Sequence, residues 1–135
     1  MAIDEVIYAK VADAFCEALA LDEDEVQLDS LVIEDLGAES LDFLDIAFRL
    51  ERAFGVKIPR GEIQKAAERR SGEAFELEGK LTESGAKALR EALPEVDPAL
   101  IAAGFPVRDI PRLFTVQTFY NMVTSLIVTK AQAAS

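Results

Sequence analysis

The chain has 135 residues, of which half are hydrophobic and 29% are charged, and its 14 basic and 25 acidic side chains give a net charge of −11. This composition is typical of one folded globular domain, and the acidic charge argues against nucleic acid and anionic membrane surfaces as partners. Histidine is absent and there is a single cysteine, so an internal disulfide is excluded and neither an autonomous hydrolase nor a metalloenzyme is expected.

Nothing in the sequence indicates secretion or membrane insertion. The first residues include Asp4 and Glu5, where a signal peptide would be basic and then apolar. No segment reaches the roughly 18 uninterrupted apolar residues of a membrane span. We therefore expect a cytoplasmic protein without a membrane span, a setting that also suits an unpaired thiol.

The acidic residues are concentrated in the first third of the chain. Residues 1–48 contain 14 acidic side chains and one basic side chain, whereas residues 49–135 contain 11 acidic and 13 basic ones. This distribution predicts basic protein partners for the N-terminal part. The alternative interpretation is a set of solvated helix faces that only keep the protein soluble.

The first predicted helix spans residues 3–20, where apolar residues recur at intervals of three and four. Cys16 lies beside this stripe and is expected to be a small buried hydrophobic residue, since the neighbouring Asp13 and Glu17 disfavour a thiolate. The acidic run 22–25 lacks the glycine and terminal glutamate of an EF-hand loop, so it is interpreted as a solvated loop.

A second helix is predicted over residues 40–54, after Gly37 and before a C-cap at Gly55. It carries two apolar stripes: Phe43, Ile46, Ala47, Leu50 and Phe54 form one, and Leu41, Leu44 and Phe48 form the other. A single core contact requires one stripe. The second is therefore expected to meet a partner or a cargo.

The remaining elements are predicted from capping and breaking residues. We expect a short helix over 60–70, an extended segment or small hairpin over 75–81, a helix over 83–93 capped by Thr82, a short helix from Asp97 to Gly104, extended chain around Pro106 and Pro111, and a clearly amphipathic last helix that follows Thr115 as its N-cap.

Residues 71–114 have apolar positions of their own, at Leu89, Leu93, Leu100, Ile101 and Phe105. They are too few for a separate domain, so this segment is predicted to pack on the helical body beside the second or third helix. The alternative is a mobile loop, because the segment is interrupted by Pro94, Pro98, Gly104, Pro106 and Pro111.

The segment 35–42 contains the residue of most chemical interest. Ser40 follows a glycine-containing loop and starts a helix, so it could be a simple N-cap, although a capping box with residue 43 cannot form. A catalytic serine is excluded, because there is no Gly-x-Ser-x-Gly pattern and no histidine. What remains is an exposed hydroxyl that another enzyme modifies, at a helix end that favours a phosphodiester.

Residues 35–59 read Asp-Leu-Gly-Ala-Glu-Ser-Leu-Asp-Phe-Leu-Asp-Ile-Ala-Phe-Arg-Leu-Glu-Arg-Ala-Phe-Gly-Val-Lys-Ile-Pro. They resemble the acyl carrier proteins, whose motif is Asp-Leu-Gly-x-Asp-Ser-Leu, followed by an acidic helix and a Phe-x-x-x-Ile-Pro ending. The resemblance covers about 1–70 and 114–130. It implies an all-α, four-helix carrier domain over residues 1–135, with a partly helical insert at about 71–114 between the third and last helices.

This resemblance implies that Ser40 is the attachment point of 4′-phosphopantetheine. A separate phosphopantetheinyl transferase (holo-acyl-carrier-protein synthase) would transfer the group from coenzyme A, with Mg²⁺ needed only in that reaction. The chain itself would then be no enzyme and would hold no metal. The thiol of the arm would carry acyl chains as thioesters.

The extended pattern Ser-Leu-Asp-Phe-Leu-Asp-Ile-x-Phe is most similar to specialised carriers of lipid A and lipopolysaccharide synthesis. Glu39 stands where the family has aspartate, and Arg49 and Arg52 interrupt a helix that is usually acidic, so housekeeping fatty-acid enzymes are expected to bind it poorly. The alternatives are a carrier domain of a polyketide or peptide assembly line, and an unmodified acidic helical adaptor.

The resemblance also suggests which residues meet the partners of a monomeric carrier. Basic patches on the transferase and on acyltransferases or ketosynthases would dock on a surface around Ser40, formed by Asp35, Glu39, Leu41, Asp42, Asp45 and Phe48. The acyl chain would lie in a groove at Leu44 and Phe48. No nucleic acid is expected among the partners.

Overall fold

The computed structural model describes residues 3–59 and 61–134. Within these ranges the α-helices are α1 (Glu5–Leu19), α2 (Ser40–Phe54), α3 (Glu62–Arg70), α4 (Glu83–Ala92) and α5 (Val116–Ala134), and the strands are β1 (Glu76–Leu77) and β2 (Lys80–Leu81). Short 3₁₀ helices occupy Glu23–Glu25, Pro98–Leu100 and Val107–Leu113. The predominance of helix confirms the all-α prediction, and α1, α2, α3 and α5 occur in the expected order.

The chain divides into two compact units. The first runs to Ile58 and resumes at Phe114, and the second is Pro59–Leu113. The second unit therefore begins earlier than the insert predicted at about 71–114, because it includes α3, which packs against α4. The grouping of the whole chain as one carrier domain stays a prediction.

In the first unit, α1, α2 and α5 pack against one another. Their core is built from the buried apolar faces that the periodicity predicts, with Phe15, Ile46, Leu50, Val116 and Val123 among the most deeply buried side chains. Four phenylalanine rings meet there, with Phe119 at 5.4 Å from Phe15, 6.1 Å from Phe43 and 6.1 Å from Phe114 between ring centroids. Such ring pairs stabilise a core beyond the area that they bury.

The ends of α1 show why it is shorter than predicted. Asp4 is its N-cap, and its side chain accepts hydrogen bonds from the N–H groups of Val6 and Ile7 at 3.0 and 3.2 Å. The helix therefore begins at Glu5 and ends before Ala20, which adopts a left-handed conformation. Local capping chemistry sets both ends.

The long loop between α1 and α2 is tied to the start of α5. The N–H of Val32 donates to the carbonyl of Phe114 at 3.0 Å, and the N–H of Val116 donates to the carbonyl of Ser30 at 3.1 Å. Thr115 caps α5 as predicted, since its Oγ1 accepts the N–H of Thr118 at 3.3 Å. These bonds fix the segment that leads to α2.

The second unit confirms the predicted hairpin and the Thr82-capped helix, which ends one residue earlier than expected. Glu78 and Gly79 have φ of +53° and +79°, as a tight hairpin turn requires, and Thr82 Oγ1 accepts the N–H of Gly85 at 2.9 Å. Leu89 and Leu93 are fully buried. The segment is therefore folded, while its predicted packing on the helical body stays a prediction.

Two predictions in this unit were wrong. The helix expected from Asp97 to Gly104 is a single 3₁₀ turn at Pro98–Leu100, after which Ile101 turns extended and its side chain is completely buried. Residues around Pro111 form the 3₁₀ helix Val107–Leu113 and not extended chain. The fixed φ of proline suits a 3₁₀ turn, and burial of Ile110 and Leu113 favours it.

Candidate functional site

Ser40 is the first residue of α2, and its side chain is exposed. The N-cap is Glu39, whose N–H donates to Asp42 Oδ2 at 2.8 Å in the manner of a capping box. The idea that Ser40 itself caps the helix is therefore wrong, because the capping pair lies one residue earlier. The Ser40 hydroxyl has no hydrogen-bond partner among residues 3–59 and 61–134, which leaves it available for chemistry.

The loop before Ser40 is closed by its own hydrogen bonds. Asp35 Oδ2 accepts the N–H of Leu31 at 2.8 Å, and the N–H of Gly37 donates to the carbonyl of Ile33 at 3.0 Å. Gly37 has a φ of +76°, a conformation that favours glycine, and Ala38 is buried. The loop thus presents Ser40 from a folded turn.

The N-terminus of α2 can receive an anion. The N–H of Asp42 donates to the carbonyl of Glu39 at 2.9 Å, but the N–H groups of Ser40 and Leu41 have no acceptor in the described part of the chain. Unpaired N–H groups and the helix dipole both favour a phosphate ester at this end. An exposed hydroxyl beside such a site fits attachment of a phosphodiester group.

The four acidic residues predicted around Ser40 already make internal contacts. Asp35 and Asp42 each accept a backbone N–H, and Asp45 Oδ1 pairs with Arg49 Nε at 3.0 Å. Arg49 also reaches Glu17 Oε2 at 2.8 Å. The fourth, Glu39, is exposed, and its side chain joins the capping box with Asp42. The acidic surface is therefore partly neutralised within the protein.

The two apolar stripes of α2 lie on different faces. Ile46 and Leu50 are fully buried, whereas Leu41, Leu44 and Phe48 are 79%, 46% and 56% exposed. The second stripe leaves the core, as its spacing predicts. It begins directly after Ser40.

The first unit contains a cleft that does not coincide with the acyl groove predicted at Leu44 and Phe48. The cleft is lined by side chains of α1 and α2: Lys10, Asp13, Ala14, Glu17, Arg49 and Ala53. Neither Leu44 nor Phe48 contributes to it. Because its walls are largely charged, this cleft does not suit an acyl chain.

Sequence reasoning treated Arg49 and Arg52 only as departures from an acidic helix. The i,i+4 spacing of Asp45 and Arg49 could have indicated their ion pair. The contact of Arg49 with Glu17 spans 32 residues and has no local signal. The Arg52 guanidinium lies over the ring of Phe48 at 5.6 Å from its centroid, again at i,i+4 spacing.

The single thiol is half-buried and not fully buried as predicted. Burial raises the pKa of Cys16, and the negative charges of Asp13 and Glu23 raise it further. The thiol is therefore not activated. Among the described residues, no group of three or more His, Cys, Asp or Glu side chains could hold a metal ion, and none of their helices is long and apolar enough to cross a bilayer.

The segment that contains Ser40 is also the part of the chain that matches known proteins. A family model described as a phosphopantetheine attachment site matches residues 9–67, which include Ser40. The acyl carrier protein AcpXL of Brucella melitensis is 50% identical over 52 residues, which are 38% of this chain and 56% of that protein. The chain thus spans little more than half the length of this relative.

Two further relatives are matched over most of their length. The acyl carrier protein of Thermotoga maritima is 40% identical over 65 residues, covering 48% of this chain and 80% of that protein. The acyl carrier protein of Campylobacter hominis is 42% identical over 59 residues, covering 44% of this chain and 75% of that protein. The chain therefore belongs to the acyl carrier proteins, a family of carriers and not catalysts that hold 4′-phosphopantetheine.

Proposed function

We propose that this chain carries acyl groups on a 4′-phosphopantetheine arm attached to Ser40 and delivers them to acyl-processing enzymes. One observation supports this above the others: the Ser40 hydroxyl is exposed at the start of α2, without a hydrogen bond to any described residue, inside the segment that matches the attachment-site family.

The residues around Ser40 have separate tasks in this proposal. Glu39 and Asp42 satisfy the helix end between themselves, so the serine hydroxyl is spared from capping. The N–H groups of Ser40 and Leu41 would hold the phosphodiester and stabilise its negative charge. When bound, the group supplies a thiol on a flexible arm that holds acyl chains as thioesters.

Attachment requires a separate enzyme. The chain contains no histidine, and no base lies against the Ser40 hydroxyl in the described residues. A phosphopantetheinyl transferase that uses coenzyme A and Mg²⁺ would supply the activation. We propose that it docks on the Ser40 surface through Asp35, Glu39, Asp42 and Asp45, with Leu41 and Phe48 as apolar contacts.

For the pathway, we infer delivery of long or hydroxylated acyl chains in lipid A or lipopolysaccharide synthesis, by a cytoplasmic monomer. Support comes from the segment 40–48 and from 50% identity to a relative named AcpXL. Leu44 and Phe48 would contact the acyl chain from the exposed face of α2 and not from an internal groove.

Mass spectrometry tests the attachment. After incubation with coenzyme A, Mg²⁺ and a phosphopantetheinyl transferase, the intact chain should gain one phosphopantetheine, about 340 Da. Ser40→Ala should gain nothing. Ser125→Ala, which removes another exposed hydroxyl of the same unit, is the matched control and should be modified like the original chain. A Ser40→Ala chain that still gains the mass contradicts the assignment.

A second assay tests the pathway. The modified chain is loaded with a 3-hydroxyacyl group and offered to a purified lipid A acyltransferase and to a housekeeping fatty-acid ketosynthase. We expect faster transfer to the acyltransferase. Preference for the ketosynthase, or for a polyketide or peptide synthase, would reject this pathway while leaving the carrier function intact.

A further inference from the structure

The apolar face of α2 ends in a positive charge. We call Leu41, Leu44 and Phe48 the α2 stripe, whose members are 79%, 46% and 56% exposed. Arg52 continues this stripe by one helical turn and stacks on Phe48 at 5.6 Å. The stripe therefore runs from the serine hydroxyl to a guanidinium group.

The two arginines of α2 differ in their surroundings. Arg49 is neutralised within the protein, since it pairs with Glu17 at 2.8 Å and with Asp45 at 3.0 Å. Arg52 is exposed, and no carboxylate lies within 4 Å of it among the residues described here. The charge of Arg52 is therefore available to a partner, whereas the charge of Arg49 is largely neutralised by its two ion pairs.

The position of this cation is unusual for its surroundings. The first unit carries 15 acidic and 5 basic side chains, so its field attracts basic surfaces and repels acidic ones. Within that field, Arg52 creates a local site for a negative group. Stacking on Phe48 restrains the guanidinium, so less side-chain entropy is lost when it pairs.

We propose that the α2 stripe docks in an apolar pocket of an acyl-processing enzyme whose rim is basic beside Ser40 and carries a carboxylate that pairs with Arg52. This inference rests on the proposed function and specifies its partner. Arg52 lies twelve positions after Ser40 in α2, so at 1.5 Å per residue the carboxylate lies about 18 Å along the docking groove from the attachment point.

A second copy of this chain fits the stripe less well. Each copy carries a net charge of −11, so two copies repel each other, and three exposed side chains are a small contact for a stable dimer. An enzyme pocket whose rim is basic beside Ser40 and acidic beside Arg52 complements the charge at both ends of the stripe. Arg52 then selects among acyl-processing enzymes, since a pocket that is basic at both ends meets it with like charge.

Acyl transfer kinetics test the inference. The chain is modified, loaded with a 3-hydroxyacyl group, and given to purified acyltransferases and ketosynthases encoded in the same genome. With the enzyme that accepts it best, Arg52→Glu should lower kcat/KM by about tenfold at low salt, and Arg52→Lys should stay within about threefold. Lys57→Glu is the matched control, since it reverses an exposed charge beyond the end of α2 and should change kcat/KM less than twofold.

A charge exchange makes the test specific. Replacing the facing carboxylate of the enzyme by lysine should restore transfer from Arg52→Glu and slow transfer from the original chain. The inference is overturned if Arg52→Glu leaves kcat/KM unchanged or raises it, or if Lys57→Glu has the same effect. A dimer in sedimentation that Arg52→Glu dissociates would assign the stripe to a second copy.

Failure of the proposed function can be distinguished from failure of the docking inference. A wild-type chain that gains no mass with the transferase rejects the Ser40 assignment. A modified, loaded chain whose transfer ignores Arg52 rejects only the docking inference.

Discussion

Gly85 sets a close approach between α4 and the segment that precedes the hairpin. A Cβ atom at this position would lie 1.9 Å from the carbonyl oxygen of Phe75 and 2.8 Å from its carbonyl carbon. These are backbone atoms, so they cannot rotate away. The same carbonyl accepts the N–H of Thr82 at 3.1 Å, the residue that caps α4. Gly85→Ala must therefore displace the Phe75 backbone and break or stretch that hydrogen bond.

The cost can be estimated from these contacts. Overpacking of a buried site costs up to about 3 kcal/mol, and the lost hydrogen bond costs about 1 kcal/mol more. Alanine regains about 1 kcal/mol of helix propensity over glycine. The net destabilisation is about 3 kcal/mol. Since folded proteins have about 0.05–0.15 kcal/mol of stability per residue, this is a large part of what a unit the size of Pro59–Leu113 possesses.

Hydrogen exchange of the full chain, read by mass spectrometry of peptides from α4 and the hairpin, measures this loss. Gly85→Ala should lower protection there by about a hundredfold, which corresponds to about 3 kcal/mol. Gly72→Ala is the matched control, because a Cβ there meets nothing within 4 Å and should leave protection equal or slightly higher. Equal protection in Gly85→Ala and the original chain would refute the close approach.

Three further predictions concern the first unit. Asp42→Lys with Asp45→Lys should slow phosphopantetheinylation by at least about tenfold, because both carboxylates lie in the first turns of α2, and a rate that ignores ionic strength would contradict electrostatic docking. Burial and nearby acids raise the pKa of the Cys16 thiol above its value in the unfolded chain. The protonated thiol therefore stabilises the fold at pH values below the unfolded pKa, and this stability is lost as pH rises through the folded pKa. Alkylation of Cys16 by iodoacetamide at pH 8 should be slower in the native than in the urea-unfolded chain. Phe119→Ala should cost about 3–5 kcal/mol in urea unfolding, against less than about 0.5 kcal/mol for Val128→Ala on the exposed surface, and a cost below about 1 kcal/mol would contradict the ring cluster.

Local sequence chemistry determined most of the helices. Helix α2 begins and ends where its spacing, the preceding Gly37 and the C-cap at Gly55 predict, and Thr82 and Thr115 cap α4 and α5 as expected. These signals are readable because capping and periodicity involve residues that are three to seven positions apart. The motif around Ser40 likewise lies within one short stretch, so the family was identifiable from sequence alone.

Tertiary packing decided the features that depend on distant residues. Burial of Ile110 and Leu113 favoured a 3₁₀ helix around Pro111, where the prolines had suggested extended chain. Burial of Ile101 in an extended conformation ended the helix that had been expected to reach Gly104.

The charge of α2 is a further case. The i,i+4 spacing could indicate the pair of Arg49 with Asp45, but the contact of Arg49 with Glu17 across 32 residues has no local signal. Together these contacts leave Arg52 as the available cation of this helix. The grouping of α3 with α4 and the close approach of Gly85 to Phe75 also arise only after folding. Sequence carries local preferences, whereas distances between remote residues follow from the packing that satisfies all of them together.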